Sequence, residues 1–285
     1  PSYNLATPGS SVYENMLYLQ HAINQGNLNK VLLVVDYIMF NKDQTEVDGF
    51  EEYFSMGNIY KYLFSFDMFK DSVYTILNQD HKPLYQRKNG QNIYKWEFIS
   101  SNGGGHLASM KKSELNYYNN HSEILIHKSF SNFEKMVRLS YQNNIELDII
   151  FGPSHIRLWE ALDYHIGYKK WEKWKKSVVL SVNKVADQLN KKQFRIVDFS
   201  IYHDLTSEKV PVDENMKMDY YWDSSHYNDD LGKIVLNELI VDNENIDFGV
   251  DLNLHNVDFH LKQQKEKRHE YIDKKKYRIE MWGGG

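Results

Sequence analysis

The sequence predicts an α/β fold: three layers, α/β/α, around a mostly parallel, doubly wound sheet, with a helical and loop insertion and a C-terminal helical tail. Two observations predict it. Val31-Leu32-Leu33-Val34-Val35 and Ile145 to Phe151 are short, continuous apolar runs rich in branched residues, which suits strands buried on both faces of a parallel sheet. Around them, apolar residues recur at steps of three and four, the period of helices that cover such a sheet.

In order along the chain, Tyr3 to Gly9 is a short apolar stretch ending in a turn. Ser10 and Ser11 open a helix, with Glu14 three residues after Ser11 as a capping box requires, and Val12, Met16, Leu19 and Ile23 give it an apolar face. Gly26 to Asn29 stops it, and Val31 to Val35 is the first strand. From about Asn41 to His127 the alternation breaks. Helical stretches at Tyr60 to Phe66 and Phe69 to Leu77 give way to loop-like Lys88-Asn89-Gly90 and Gly103-Gly104-Gly105. We read residues 42–127 as an insertion on the carboxyl edge of the sheet, in the place of a lid. The Gly triplet with His106 is a lid or turn and not a phosphate loop, because it lacks the Gly-Lys-Ser/Thr ending and joins no strand to a helix.

Phe130, Phe133, Val137 and Tyr141 trace the next helical face, ahead of the strand Ile145 to Phe151, which ends at Gly152-Pro153. A long helix then carries Trp171, Trp174, Val178, Val182, Val185 and Leu189. Phe194 to Val197 is the third strand, and Leu231 to Val241 the last helix of the domain with a short extension. The α/β domain is expected over residues 1–250, and residues 251–285 read as a polar helical tail packed on it or projecting from it.

Composition narrows the function classes. Net charge is −5, and the basic run from Lys262 to Arg278 is interrupted by Glu266, Glu270 and Asp273, so it reads as a solvated helix face and nucleic acid is not an expected partner. With no cysteine, disulfides, thiolate metal sites and a cysteine nucleophile are excluded. No apolar run is long enough for a membrane-spanning helix. Neither His-Glu-x-x-His nor an EF-hand loop occurs among the 12 histidines and many carboxylates, and we expect no metal and no cofactor. His255 and His260 lie in a polar region and read as solvated.

The sharpest chemical element is Tyr221-Trp222-Asp223-Ser224-Ser225-His226-Tyr227, just before the last helix of the domain. An Asp three residues before a His can orient the imidazole, which then serves as general base for a hydroxyl. The bland reading is a helix cap by Asp223 or Ser224 beside a His packed on aromatics. Its place favours chemistry, since ligands of open α/β sheets bind beyond the carboxyl ends of the strands. Trp222 and its aromatic neighbours are suited to hold an acyl or sugar group. Pro153-Ser154-His155 lies at the carboxyl end of a strand; Ser154 and His155 are either substrate contacts or a helix cap with an exposed His. Asp198, at the end of another strand, reads as a turn-forming carboxylate.

On these residues the chain resembles the SGNH (GDSL-like) hydrolases. Asp223-Ser224-Ser225-His226 before a terminal helix is similar to their last conserved block, Tyr3 to Gly9 to their second, and Val31 to Asn41 to the strand and loop of their third. The order of Val35-Asp36-Tyr37, Pro153-Ser154-His155, Val197-Asp198-Phe199-Ser200, Tyr220-Tyr221-Trp222 and Phe248-Gly249-Val250 resembles uncharacterised envelope-associated bacterial members of the AlgX and DltD types. The resemblance implies a flavodoxin-like sheet and an ester hydrolase or O-acyltransferase acting on an acylated envelope carbohydrate or another ester. His226 would be the base and Asp223 its orienter, with Gly9 and Asn41 as oxyanion-hole donors. It also implies a location facing the cell envelope, with membrane association only through a segment upstream. The family's nucleophilic serine follows a first strand that precedes the second block. As the chain starts Pro-Ser-Tyr-Asn, that strand and serine are expected upstream of Pro1, and the chain as given is expected to be a soluble fragment, inactive in ester hydrolysis. Gly9-Ser10-Ser11 imitates the nucleophile turn, but Ser11 already has a capping task. The competing class is a non-catalytic module that binds a glycan or partner on the same fold.

Overall fold

A computed structural model describes residues 2–7, 9–40, 63–77, 89–91, 103–120, 127–240 and 248–282. Among the described residues, four strands form one open sheet in the order β1-β2-β3-β4: β1 (Lys30–Val35), β2 (Glu146–Phe151), β3 (Ile196–Asp198) and β4 (Val250–Asp251). The first three are parallel, with Lys30 opposite Glu146 through to Val35 opposite Phe151, while β4 runs antiparallel to β3. Around them stand nine helices among the described residues: α1 (Val12–Gln25), α2 (Phe66–Leu77), α3 (Gly105–Asn120), α4 (His127–Gln142), α5 (Ile156–Ile166), α6 (Tyr168–Gln188), α7 (Asp229–Ile240), α8 (Val257–Tyr271) and α9 (Lys274–Trp282). The result is a mixed α/β fold with an open, mostly parallel sheet.

Side chains alternate across a strand, so each strand feeds two cores. Leu33, Val35, Leu147, Ile149, Phe151 and Ile196 pack with α1, α4, α6 and α8 on one face. Ile150 and Val197 pack on the other with Met110 of α3 and Leu231 and Val235 of α7. Two cores on opposite faces are compatible with three layers. At the edge strand β1, Leu32 and Val34 remain 39% and 40% exposed, so this strand is covered on one face only by the described residues.

Local signals act where the sequence places them. Ser11 caps α1: its hydroxyl accepts from Glu14 N at 3.1 Å, and the Glu14 carboxylate accepts from Ser11 N at 2.7 Å. The long helix before β3 is α6, and a separate helix, α5, precedes it; Gly167, at φ 85°, a left-handed value, sets the two apart. Within the insertion, the described residues include α2 and α3, whereas Tyr60 to Tyr62, Lys88 and most of 42–127 lie outside the described residues. α3 packs against α5, and its Met110 lies against Ile150 and Val197 of the sheet. It begins at Gly105, where a Cβ would stand 2.7 Å from the Glu214 backbone.

The C-terminal tail is packed on the domain by buried polar anchors, and His260 is not solvated as its polar neighbourhood suggests: it is 3% exposed. Its Nε2 meets Asp198 Oδ2 at 2.8 Å. Asp198 is not a simple turn carboxylate either. Both its oxygens accept from the fully buried ammonium of Lys175, at 2.8 and 2.7 Å, and Lys175 also donates to Ser200 O at 2.8 Å. Burial pulls the Lys175 pKa down to about 8 against the opposing pull of Asp198. From α8, Arg268 forks onto Glu160 with both contacts at 2.6 Å. From α9, the Tyr277 hydroxyl donates to Glu114 Oε2 at 2.9 Å, and Glu114 holds Arg157 of α5 by two hydrogen bonds. The tail thereby fixes α5, which starts at the carboxyl end of β2.

Candidate functional site

The loop 221–227 is closed by a bridge between Tyr221 and Tyr227 and by Trp222 N donating to His226 O at 2.9 Å. Inside it, the Asp223 carboxylate organises the turn: Oδ1 accepts from Ser225 N at 2.8 Å and from His226 N at 3.0 Å. Asp residues favour such turns because the short carboxylate reaches the backbone two and three residues on. Oδ2 is left to meet His226 Nδ1, at 2.8 Å. The helix cap of the bland reading falls to another residue: Asn228 Oδ1 accepts from Asp230 N and Leu231 N at the start of α7. Asp223 is therefore free for the imidazole.

The loop is pinned to the carboxyl end of β2. Tyr221 Oη donates to Pro153 O at 2.8 Å, and His155 N donates to Ser224 O at 2.9 Å. From α3, His106 Nδ1 lies 3.3 Å from Trp222 O, and Ser113 Oγ is 3.2 Å from Ser225 Oγ. Ser225 Oγ in turn donates to Asp223 Oδ1 at 2.8 Å and lies 2.9 Å from His226 Nδ1.

The electrostatics follow from this geometry. The hydrogen bond that His226 donates to Asp223 raises the His226 pKa above its ordinary value; burial opposes this, and the charges of Asp223 and Asp36 add to it. Burial alone would raise the Asp223 carboxyl, but the hydrogen bond and charge of His226 outweigh it and leave the pKa lowered. The His226 side chain is 70% exposed, and Nε2 has no hydrogen-bond partner among the described residues. With Nδ1–H directed at the carboxylate, Nε2 is the nitrogen able to accept a proton.

A cleft of about 80 Å³ opens at the carboxyl ends of the strands; Ser225 and Tyr227, the neighbours of His226, line it, while Asp223 and His226 do not. Half-buried Asp36, Gly152, Ser154, Ser225 and Tyr227 form its rim. Leu158, Trp159, Leu162, Trp171 and Trp174 form a buried floor.

Of the residues picked out by sequence, Asp223 and His226 are brought together and Ser154 reaches the cleft, where its hydroxyl accepts from Trp159 Nε1 at 2.7 Å. His155 is corrected: it is 2% exposed, and it, not Ser154, caps α5 by accepting from Arg157 N on Nδ1. Its Nε2 meets Glu208 O at 2.8 Å, and burial lowers its pKa to about 4. With both nitrogens engaged inside the protein, it is a structural residue and not a substrate contact. Trp222 is half-buried and does not line the cleft. Gly9 stands in an exposed turn at φ 68° and does not line it either. Ser10 Oγ accepts from Asn15 Nδ2 and Ser11 is buried in its cap. Asn41 lies outside the described residues. Sequence reading missed Ser225, Asp36, Trp159 and Trp174 as site residues. Only the place of Asp36 at the end of the first strand could have signalled one of them.

Among the described residues, no group of three His, Cys, Asp or Glu side chains is placed to hold a metal, and no helix is long and apolar enough to cross a membrane. No protein-family model, curated protein or solved structure matches the chain.

Proposed function

We propose that Asp223 and His226 are the acid–base half of an SGNH-like acyl-transfer centre, in an ester hydrolase or O-acyltransferase that acts on acylated envelope glycans or similar esters. The supporting observation is the orientation of His226, with Nδ1 held by Asp223 and Nε2 open to solvent, on a loop whose Ser225 and Tyr227 line a cleft at the carboxyl edge of the sheet. Asp223 selects the tautomer with the proton on Nδ1 and stabilises the imidazolium. Nε2 takes the proton of an attacking hydroxyl as its oxygen bonds to the acyl carbon, and returns it to the alcohol that leaves. Ser225 lies on the Nδ1 side with Asp223, so it buttresses the pair and is not the hydroxyl that Nε2 activates. That hydroxyl belongs to a serine outside the described residues or to the acyl acceptor. The envelope location accompanies this substrate class and rests on the sequence resemblance.

Because the base must be neutral, activity should rise with pH through the raised His226 pKa. The test is covalent labelling by a fluorophosphonate, together with turnover of an aryl acetate, in a version of the protein extended upstream to include the expected serine. His226→Ala should slow both by roughly 10²- to 10⁴-fold, the usual worth of a general base. Equal rates in the variant would overturn the proposal. So would an unlabelled, inactive wild type that nevertheless binds an acetylated glycan, which is the behaviour of a binding module.

A further inference from the structure

The loop of Asp223 and His226 is braced from a part of the chain far away in sequence. On α3, His106, Met110 and Ser113 stand at steps of four and three, so they share one helical face. Met110 enters the core beneath the sheet, and the polar residue on either side of it meets the loop. His106 Nδ1 donates to Trp222 O at 3.3 Å, and Ser113 Oγ is 3.2 Å from Ser225 Oγ. The helix that makes these contacts is itself held fast. Glu114, next to Ser113, is fully buried; it accepts from Arg157 of α5 through two hydrogen bonds and from the Tyr277 hydroxyl of α9.

Ser225 Oγ has three polar neighbours: Asp223 Oδ1 at 2.8 Å, His226 Nδ1 at 2.9 Å and Ser113 Oγ at 3.2 Å. A hydroxyl has one proton to donate and two lone pairs to accept with. The carboxylate can only accept, and it is the strongest acceptor of the three, so it takes the Ser225 proton. The lone pairs of Ser225 then face His226 Nδ1 and Ser113 Oγ, and both of these must donate. For His226 that means a proton on Nδ1, which it shares with Asp223 Oδ2 at 2.8 Å. Were the Ser225 hydroxyl to turn its proton onto Nδ1 instead, the ring proton would move to Nε2, and Nε2 would have no lone pair left to act as a base. The Ser113 hydroxyl, donating from a fixed helix, holds Ser225 against that rotation.

We infer that Ser113 is a positioning residue for the acid–base pair: by donating to Ser225 it keeps the Ser225 hydroxyl on Asp223 and the proton of neutral His226 on Nδ1. It acts from a helix none of whose residues lines the cleft. The inference rests on the acyl-transfer reading for its effect on rate, while the tautomer is measured without any chemistry.

The experiment uses the full chain with ¹⁵N in its histidine rings, held at a pH where His226 is neutral; His226→Gln identifies its signals among those of the 12 histidines. Protonated and bare ring nitrogens differ widely in shift, and the wild type should show Nδ1 protonated and Nε2 bare. Ser113→Ala, which suits a helix and so preserves the fold, should raise the share of the Nε2–H tautomer about fivefold, as the loss of one hydrogen bond predicts. Ser113→Thr, which restores a hydroxyl, should reverse the change. In the protein extended upstream, Ser113→Ala should lower kcat for an aryl acetate about fivefold with KM unchanged, since it touches no group that lines the cleft. A tautomer ratio unmoved in Ser113→Ala overturns the inference, and so does a change that Ser113→Thr fails to reverse. A wild-type His226 with its neutral proton on Nε2 overturns the inference and the acyl-transfer reading together. A tautomer that depends on Ser113 in a protein with neither labelling nor turnover would sink the acyl-transfer reading alone.

Discussion

Among the described residues, two Asp–His contacts have the same length, 2.8 Å, and opposite characters. Asp198 and His260 are enclosed: Asp198 is fully buried, both its oxygens accept from Lys175, and Oδ1 also accepts from Ser200 N and Oγ. Asp223 and His226 have the same two groups on a surface loop, with one carboxylate oxygen spent on the turn and one imidazole nitrogen left over. The enclosed cluster ties α6 and α8 to the end of β3 and has no unused donor to offer a substrate. An Asp–His contact alone therefore does not make a site; what distinguishes the two is access, since the His226 side chain is 70% exposed and that of His260 only 4%.

Removing charge from the enclosed cluster should have the largest effect. Lys175→Met leaves Asp198 buried without its main counter-charge and should cost about 3–5 kcal/mol in urea unfolding with an unchanged slope. A loss under about 1 kcal/mol would mean that the cluster is not closed to water. Next in size is the acid limb of stability, set by the enclosed His155. Its folded pKa, about 4, lies below the ordinary value of 6.5, so the unfolded chain binds the extra proton between them. Stability should fall as pH drops from about 6.5 toward 4, by about 3 kcal/mol, and level off below. His155→Gln should flatten that limb; a limb of unchanged depth would place the cause elsewhere. The open His226 has the opposite sign, because its folded pKa is raised: its contribution is complete below the unfolded pKa and is lost as pH rises through the folded one. Asp223→Asn, which removes the largest raising influence, should lower that pKa in an NMR titration of the ring protons while changing unfolding stability least of all. A titration unmoved by the substitution would separate the two residues in solution.

Much of the frame was legible because it rests on apolar pattern. Val31 to Val35 and Ile145 to Phe151 fall on β1 and β2 to within one residue, and the stripe from Trp171 to Val185 lies on the buried face of α6. The Ser11–Glu14 box was legible because both partners sit within one turn. What periodicity could not reveal were buried charges. Lys175, Arg157, Glu160 and Arg268 interrupt apolar stripes and read as solvent-facing, yet each is paired across a packed interface with a partner that no local spacing identifies. β4 is two residues long, too short for any alternation to register. In the site, Asp223 and His226 were legible because they are three residues apart. Ser225 gave no signal of its own, and the cleft residues come from β1, the loop after β2, α5, α6 and the segments of Ser200 and Ser225, which only the fold assembles.

The buried anchors of the tail also set an order of assembly. Glu114 and Tyr277 are separated by 163 positions, and Glu160 and Arg268 by 108. Contacts that distant form late, since loop closure must precede any gain from them. The first turn of α5, which receives the loop of Asp223 and His226, is thus held firmly only once α8 and α9 have been synthesised and docked. A ribosome partway through this message would carry a sheet with most of its strands in place and the loop of Asp223 and His226 not yet seated on a fixed α5.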